Sequence, residues 1–368
     1  MIIDGTSLLK PCENRNATVP VTSAPIASAS HPHIAGLLPL CPFLAHIVER
    51  SLRFPATWTT EHEMVVIGLR WILVTTQSSR TTAPGFPAPR RPRDDGSVAA
   101  VATRLVALRR RLERTDLRPA PDTDAAFGEL VGLCCFPPVG CTEGVLARIA
   151  PHSDALRTLA ATGEGHMEHH WADRIAAAPD PRAELDRFPY LGNYHDLVRL
   201  ELAALTAVGL SAPRRVVVLG SGPLPLTGMV LATGHGAQVL HVDRDRAAAA
   251  AGDAVAAALG ADGRVRSLVA DLDDPQLSPA LADELGRADL VLVGALVGAD
   301  AAAKAAITAR LATATGPGTT LLVRSAAGLR TLLYPEIVPA DLPALDVLLE
   351  VHPRTDVVNS VLVARAAT

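Results

Sequence analysis

Two glycines and an aspartate carry the first chemical signal. Gly220 and Gly222 lie in Arg214–Leu231, RRVVVLGSGPLPLTGMVL, where a β-branched run gives way to a turn and then to apolar residues at helical spacing. Glycine permits a tight turn and close backbone approach to a ligand, and a helix starting there offers unpaired N–H groups. Asp243, in LHVDRD, follows about twenty residues on, the separation at which a carboxylate grips a ribose diol. This predicts a nucleoside site, with Gly220, Ser221 and Gly222, and Pro223 beside them, covering a methionyl–ribose part. An ordinary tight turn is the alternative. Pro225 replaces the third glycine of the dinucleotide fingerprint, so nothing is shaped for a pyrophosphate, and S-adenosylmethionine fits better than NAD.

Other residues fall around that nucleus. Asp271, in LVADLDD, ends a third strand and is placed to accept the adenine amino group, with Leu272 beside it; a helix cap or turn is the other reading. The uncharged run Gly294–Gly298, containing Ala295 and Leu296, ends a fourth strand and suits a wall facing a sulfonium. Arg324, ending a fifth strand, can clamp a substrate carboxylate bidentately or close an interdomain salt bridge. Asn193 and Tyr194 either line the same cavity as substrate-binding residues or cap a helix, and His352 reads as structural. His166 and His170 have zinc-compatible i, i+4 spacing, but GHMEHH brings no convincing third ligand, so no metal is expected.

The period of the sequence supplies the scaffold. From Arg214 strand and helix alternate, the sign of a doubly wound α/β sheet. Strands are expected at Val216–Leu219, Gln238–Val242, Val265–Val269, Leu290–Val293, Thr320–Val323, Leu345–Val351 and Ser360–Ala364, the last two antiparallel. That is a class I methyltransferase-like (Rossmann-like) domain over residues 207–368. Before it, helices are expected at Ser97–Arg114, Asp124–Cys135, Ser153–Ala178 and Leu185–Thr206, a helical domain over residues 98–206. A loop through Gly140 joins the second and third.

Composition excludes several classes. The net charge of −4 argues against a nucleic-acid surface. No apolar run reaches the roughly eighteen residues a membrane span needs, and no signal-peptide pattern is visible, so a cytoplasmic protein without membrane partners is expected. Five cysteines, an odd number with no CxxC pair, suit a reducing compartment. Residues 1–97 are the odd part. Thr75–Ser97 is a Pro/Ser/Thr/Arg tract, and the whole stretch is expected to be a mostly disordered extension, or to lie upstream of the natural translation start. The alternative is a small accessory element with a helix near Leu37–Arg53. Nothing in the sequence decides between a monomer and a homodimer.

GSGPLPLTGMVLA resembles the signature of the nicotianamine synthase family. The likeness continues through Gly163-Glu164-Gly165-His166, Phe188–Tyr194 (FPYLGNY), Gly294–Gly298, Leu322–Ala326, Leu333-Tyr334-Pro335, His352-Pro353 and Asn359-Ser360-Val361, over about residues 98–368. It implies that a small-molecule amine or amino acid attacks the methylene carbon of the aminobutyryl arm of S-adenosylmethionine, releasing 5′-methylthioadenosine. Such a 3-amino-3-carboxypropyl transfer serves nicotianamine or metallophore biosynthesis and needs no metal. The resemblance places Glu164 and Tyr190 beside the substrate amine as catalytic groups.

Three departures stand out. Leu191 replaces a tyrosine of the family pattern, Ala327 replaces a histidine, and VDRD stands where YDID is usual. They trim polar groups and leave the acceptor open. Intramolecular closure to azetidine-2-carboxylate, ordinary methyl transfer and a non-catalytic binding protein are the rival readings.

Overall fold

The computed structural model describes residues 97–367 apart from Ser211 and Ala299, so the readings of the first ninety-six residues lie outside it. Six helices come first: α1 (Val98–Leu112), α2 (Pro121–Cys135), α3 (Thr142–Ile149), α4 (Ser153–Ala177), α5 (Pro181–Leu185) and α6 (Leu191–Ala207). The alternating region follows as β1 (Arg215–Leu219), α7 (Leu226–His235), β2 (Gln238–Asp243), α8 (Arg246–Ala258), β3 (Val265–Val269), α9 (Pro279–Gly286), β4 (Leu290–Val293), α10 (Ala301–Ala314), β5 (Thr320–Ser325), β6 (Leu345–Val351) and β7 (Ser360–Ala366). Local chemistry sets many boundaries. Ser97 caps α1 by accepting from Ala100 N at 3.0 Å, and Asp300 caps α10 by accepting from Ala303 N at 2.8 Å. Pro121, Pro181 and Pro279 open their helices, where the missing N–H costs nothing.

The strands form one seven-stranded sheet in the order β3-β2-β1-β4-β5-β7-β6. β1 to β5 are parallel, and β7 runs antiparallel to both β5 and β6. This is the class I methyltransferase-like architecture expected. The order reverses between β1 and β4, so the turn after β1 and the loop after β4 meet at the switch point where doubly wound sheets bind ligands.

The central strands read as unbroken apolar runs because both faces are covered. Val216 and Val218 of β1 face a core with Val239, Leu292 and Val363, while Val217 and Leu219 face another with Leu240, Val291, Leu281 and Ile307. The first core also contains Trp171 and Ile175 of α4, Phe188, and Val198 and Leu205 of α6. In the other direction, Leu329, Leu332 and Leu333, which follow β5, pack with Val101, Leu105, Leu130, Ile149 and Leu156 of the helical half. Residues 97–367 therefore belong to one compact unit. Among the described residues no helix is long and apolar enough to cross a membrane.

Helix α3 lies where the sequence reads as a loop. It is eight residues long and buries only Val145 and Ile149, too short a stripe to show as a period. Helix α6 begins six residues later than the spacing predicts, because Leu185 closes the separate short helix α5.

One sheet position has a consequence for stability. His241 on β2 is buried without a hydrogen-bond partner at either ring nitrogen, against Gly228 of α7, where any Cβ would collide with the imidazole. Burial pushes its pKa down to about 3. The unfolded chain takes up the proton first, so stability is complete above about pH 6.5 and declines as pH falls toward the folded value. Urea unfolding of wild type and His241→Leu should therefore diverge below pH 6.5, the wild type losing on the order of 2 kcal/mol more by pH 5.

Candidate active site

The glycine turn after β1 is left-handed at both glycines, with φ +72° at Gly220 and +67° at Gly222. Asp243, ending β2, fastens it: Oδ2 accepts from Gly222 N at 2.9 Å and Oδ1 from Asp245 N at 3.0 Å. The turn and the ribose-binding candidate are thus one structure, and each carboxylate oxygen keeps a lone pair for a ligand.

Across the turn stands α4. Glu164 and Glu168 are four residues apart and share a helix face. A Cβ on Gly222 would come 2.5 Å from Glu168 Oε2, so the carboxylate occupies the space that the glycine leaves. Two phenols come from elsewhere to meet the pair. Tyr194 of α6 donates from Oη to Glu168 Oε1 at 2.8 Å, and Tyr334, after β5, donates to Glu164 Oε1 at 2.8 Å.

Behind them Arg324, in β5, gives Nε to Glu201 Oε1 and Nη2 to Thr227 Oγ1, both at 2.8 Å, which joins β5 to α6 and α7. Both partners of this ion pair are withdrawn from solvent, and Glu201 Oε2 has no hydrogen-bond partner.

Electrostatics follow from this crowding. Burial pushes the Glu164 carboxyl above its ordinary value, with the Tyr334 bond and the Arg324 charge pulling back. Glu168 is raised further, by burial first and then by Glu164, with Asp243 adding to it and the Tyr194 bond opposing. Both phenols are held well above the usual tyrosine range by burial and the adjacent carboxylates, so they remain donors. Burial works against the Arg324 charge, but Glu201 outweighs it and the guanidinium stays charged. The assembly is a pair of glutamates in which ionising one opposes ionising the other, beside a nucleoside-type turn.

The remaining sequence candidates fall as follows. Tyr190 precedes α6, packs edge-on to Phe188 at 5.9 Å, and has its pKa raised by burial and then by Asp124. The phenols that bond the glutamates are Tyr194 and Tyr334. Asn193 Nδ2 donates to the Asp356 carbonyl at 2.9 Å, tying α6 to the segment before β7. Arg324 makes the buried ion pair that was the alternative to a substrate clamp. Asp271 is exposed and accepts from Asp273 N at 3.0 Å as a turn residue would, while Leu272 is buried. Ala295 is buried and Leu296 exposed in the loop after β4. His352 contacts Ser360 Oγ at 2.9 Å, a structural role. Among the described residues no group of three or more His, Cys, Asp or Glu side chains could hold a metal ion.

Glu168, Tyr334, Glu201 and Thr227 are the members that sequence reasoning did not assign. Glu168 had a readable signal, its i, i+4 spacing from Glu164, hidden inside the histidine cluster. Glu201 and Thr227 sit in ordinary helical sequence and had none.

Comparison with known proteins agrees on one family. A family model described as nicotianamine synthase protein matches residues 94–368. Nicotianamine synthase 1 of Oryza sativa subsp. indica is 38% identical over 280 residues, which cover 73% of this chain and 81% of that protein. Nicotianamine synthase 1 of Hordeum vulgare is 37% identical over 284 residues, 73% and 83% of the two chains. Among solved structures, a glutamate-to-glutamine variant of MtNAS in complex with S-adenosylmethionine aligns with a TM-score of 0.61 at 20% identity, over 73% of this chain and 98% of that one. MtNAS in complex with MTA and tNA aligns equally well, at 20% identity over 74% and 97%. These two likenesses are of fold.

The glutamate pair can be checked spectroscopically. At pH values where exposed glutamates are fully ionised, infrared difference spectra should show the carbonyl stretch of a protonated carboxyl, and Glu168→Gln should abolish it. Tyr194→Phe removes a bond that favours the ionised form, so it should move the titration of that band to higher pH.

Proposed function

The chain belongs to the nicotianamine synthase family, and on that premise we propose that it transfers the 3-amino-3-carboxypropyl group of S-adenosylmethionine to an amine. The observation that carries this reading is the placement of Glu168 against Gly222, with Glu164 one helical turn away. A proton-accepting pair thereby stands at the mouth of a turn built for a nucleoside. The fold-related MtNAS, solved with S-adenosylmethionine and with MTA and tNA, supports the choice of ligand.

The residues fit a nucleoside-bearing sulfonium. Gly220 and Gly222 have no side chain to block approach, and Asp243 holds the turn while keeping oxygens free for ribose hydroxyls. When bound, S-adenosylmethionine supplies an electrophilic methylene carbon and a sulfur that leaves with its electron pair in 5′-methylthioadenosine. The chain must orient an amine toward that carbon and remove its proton. An amine is mostly protonated at neutral pH, so the ionised member of the Glu164–Glu168 pair binds it as an ammonium and then accepts the proton. Each carboxylate is aimed by a phenol, Glu164 by Tyr334 and Glu168 by Tyr194. The charge of Arg324, fixed by Glu201 and Thr227, keeps the pair from becoming too basic to release that proton. Tyr190 and Asn193, at the start of α6, belong to the acceptor side of the cleft in this reading.

The cleft lies between elements that share cores, so orientation comes from packing rather than from a loosely hinged lid. Holding the amine nitrogen in line with the methylene carbon, about 3–3.5 Å away, selects that carbon over the methyl group.

Product analysis by mass spectrometry tests this. The chain with S-adenosylmethionine and amine acceptors should release 5′-methylthioadenosine together with an aminocarboxypropylated product. Release of S-adenosylhomocysteine would sink the proposal, and free azetidine-2-carboxylate from S-adenosylmethionine alone would replace it with intramolecular closure. Glu164→Gln should bind S-adenosylmethionine within a few-fold of wild type and lose about 10²–10⁴-fold in turnover.

A further inference from the structure

Lys304 places a basic side chain in the interior of the sheet-bearing half of the chain. It is 0% exposed, and among the described residues no carboxylate pairs with it. It also stands in the first turn of α10, where the helix dipole disfavours a cation. Burying an unpaired ammonium is expensive, so its hydrogen bonds must serve something that an apolar side chain could not.

Those bonds run to one loop. Lys304 Nζ donates to the carbonyls of Gly294 and Ala295, both at 3.0 Å. Gly294 O also accepts from Val297 N at 3.2 Å, which closes the loop into a turn. The loop returns to α10 through Gly298, at φ +79°, where a Cβ would come 2.8 Å from Lys304 N. Its other side lies on the glycine turn: the Val297 side chain fills the space where a Cβ on Gly220 would stand, and a Cβ on Gly294 would come 3.0 Å from Leu219 O. Contacts therefore run without a break from the buried ammonium, through the loop after β4, to the turn after β1.

We propose that Lys304 is a positioning residue that fixes Gly294–Gly298 as the wall of the S-adenosylmethionine pocket beside Gly220. The inference rests on the functional reading above and adds to it a residue that touches neither substrate. The two accepting carbonyls are turned inward to the lysine, while of the loop's side chains Val297 packs on Gly220, Ala295 is buried and Leu296 is exposed. Burial pushes the Lys304 amine down to about 7, so the ammonium and the neutral amine are both populated near neutral pH. A neutral amine still has two N–H groups, one for each carbonyl.

The test separates positioning from stability. Lys304→Met keeps the length and apolar stem and removes the donors, whereas Lys304→Gln keeps donors on a shorter arm. In Lys304→Met the Kd and KM for S-adenosylmethionine should rise at least tenfold, while the KM for the amine and the Tm stay near wild type. Hydrogen exchange at the Val297 amide should quicken in the ligand-free protein, and Lys304→Gln should recover part of the affinity. An unchanged Kd for S-adenosylmethionine, or parallel losses in Tm and in both KM values, would overturn the proposal. If Lys304→Met does not fold, Gly298→Ala perturbs the same loop and should show the same selective loss; an unchanged Kd there overturns it equally. Wild-type protein that binds no S-adenosylmethionine defeats the functional reading itself, whereas wild-type binding with unaltered variants defeats only the role of Lys304.

Discussion

The site depends on one steric fact: the volume beside Gly222 is taken by the Glu168 carboxylate. Glycine is required there twice, because φ is +67° and because any side chain would displace the carboxylate. The position of α4 is in turn fixed by Trp171 and Ile175, which are packed into the core on β1. The same helix that buries one stripe on the sheet therefore drives its acidic stripe into the ligand turn. Withdrawing a carboxylate from water costs several kcal/mol, and one phenolic hydrogen bond to a charged group returns about 1.5–3 kcal/mol. The difference is not made up by an ion pair, and burial pushes both carboxyls above their ordinary range, Glu168 the further of the two.

Reciprocal packing explains how such a site stays in register. Leu329, Leu332 and Leu333 leave the sheet to complete the helical core, and Trp171, Phe188 and Val198 leave the helices to complete the sheet core. Tyr334 follows directly on the first group, and Tyr194 lies between Phe188 and Val198 of the second. Each phenol is carried by a segment anchored in the opposite half. A shift of one half against the other would break the Tyr334–Glu164 contact, whereas Tyr194 and Glu168 both ride on helices of the same half, which ties part of the site geometry to the shared cores.

Much of this was legible in the residues. Three strands, Val265–Val269, Leu290–Val293 and Leu345–Val351, fall where the alternation places them: Leu290–Val293 is buried at every position and reads as an apolar run, whereas the two edge strands β3 and β6 are only partly buried and show through their place between helical stretches. The turn and Asp243 were visible because left-handed φ favours glycine and the carboxylate that fastens the turn ends the next strand. The wider site was harder to see. Tyr334 and Tyr194 are 170 and 26 residues from their partners, and the Arg324–Glu201 pair spans 123, distances across which no local period carries information. Family likeness directed attention to Tyr190, while the hydrogen bonds to the glutamates come from Tyr194 one turn later and from Tyr334. Helix α3 escaped notice because two buried residues cannot establish a period.

The way charge is matched explains which groups remain reactive. Among the described residues three glutamates are buried: Glu168, Glu184 and Glu201. Glu184 is neutralised by Arg174 and Arg187, and Glu201 by Arg324. Lys304, buried in α10, spends its donors on backbone carbonyls of the loop after β4 rather than on an acid. Glu168 is therefore the buried glutamate with no cation of its own, and Glu164 shares its face. A carboxylate locked in an ion pair holds its charge over the whole working pH range and cannot exchange a proton usefully. The pair beside Gly222 is steadied by two phenols and the charge of Arg324 without an ion pair of its own, which is the freedom that the proposed proton transfer from an amine would use.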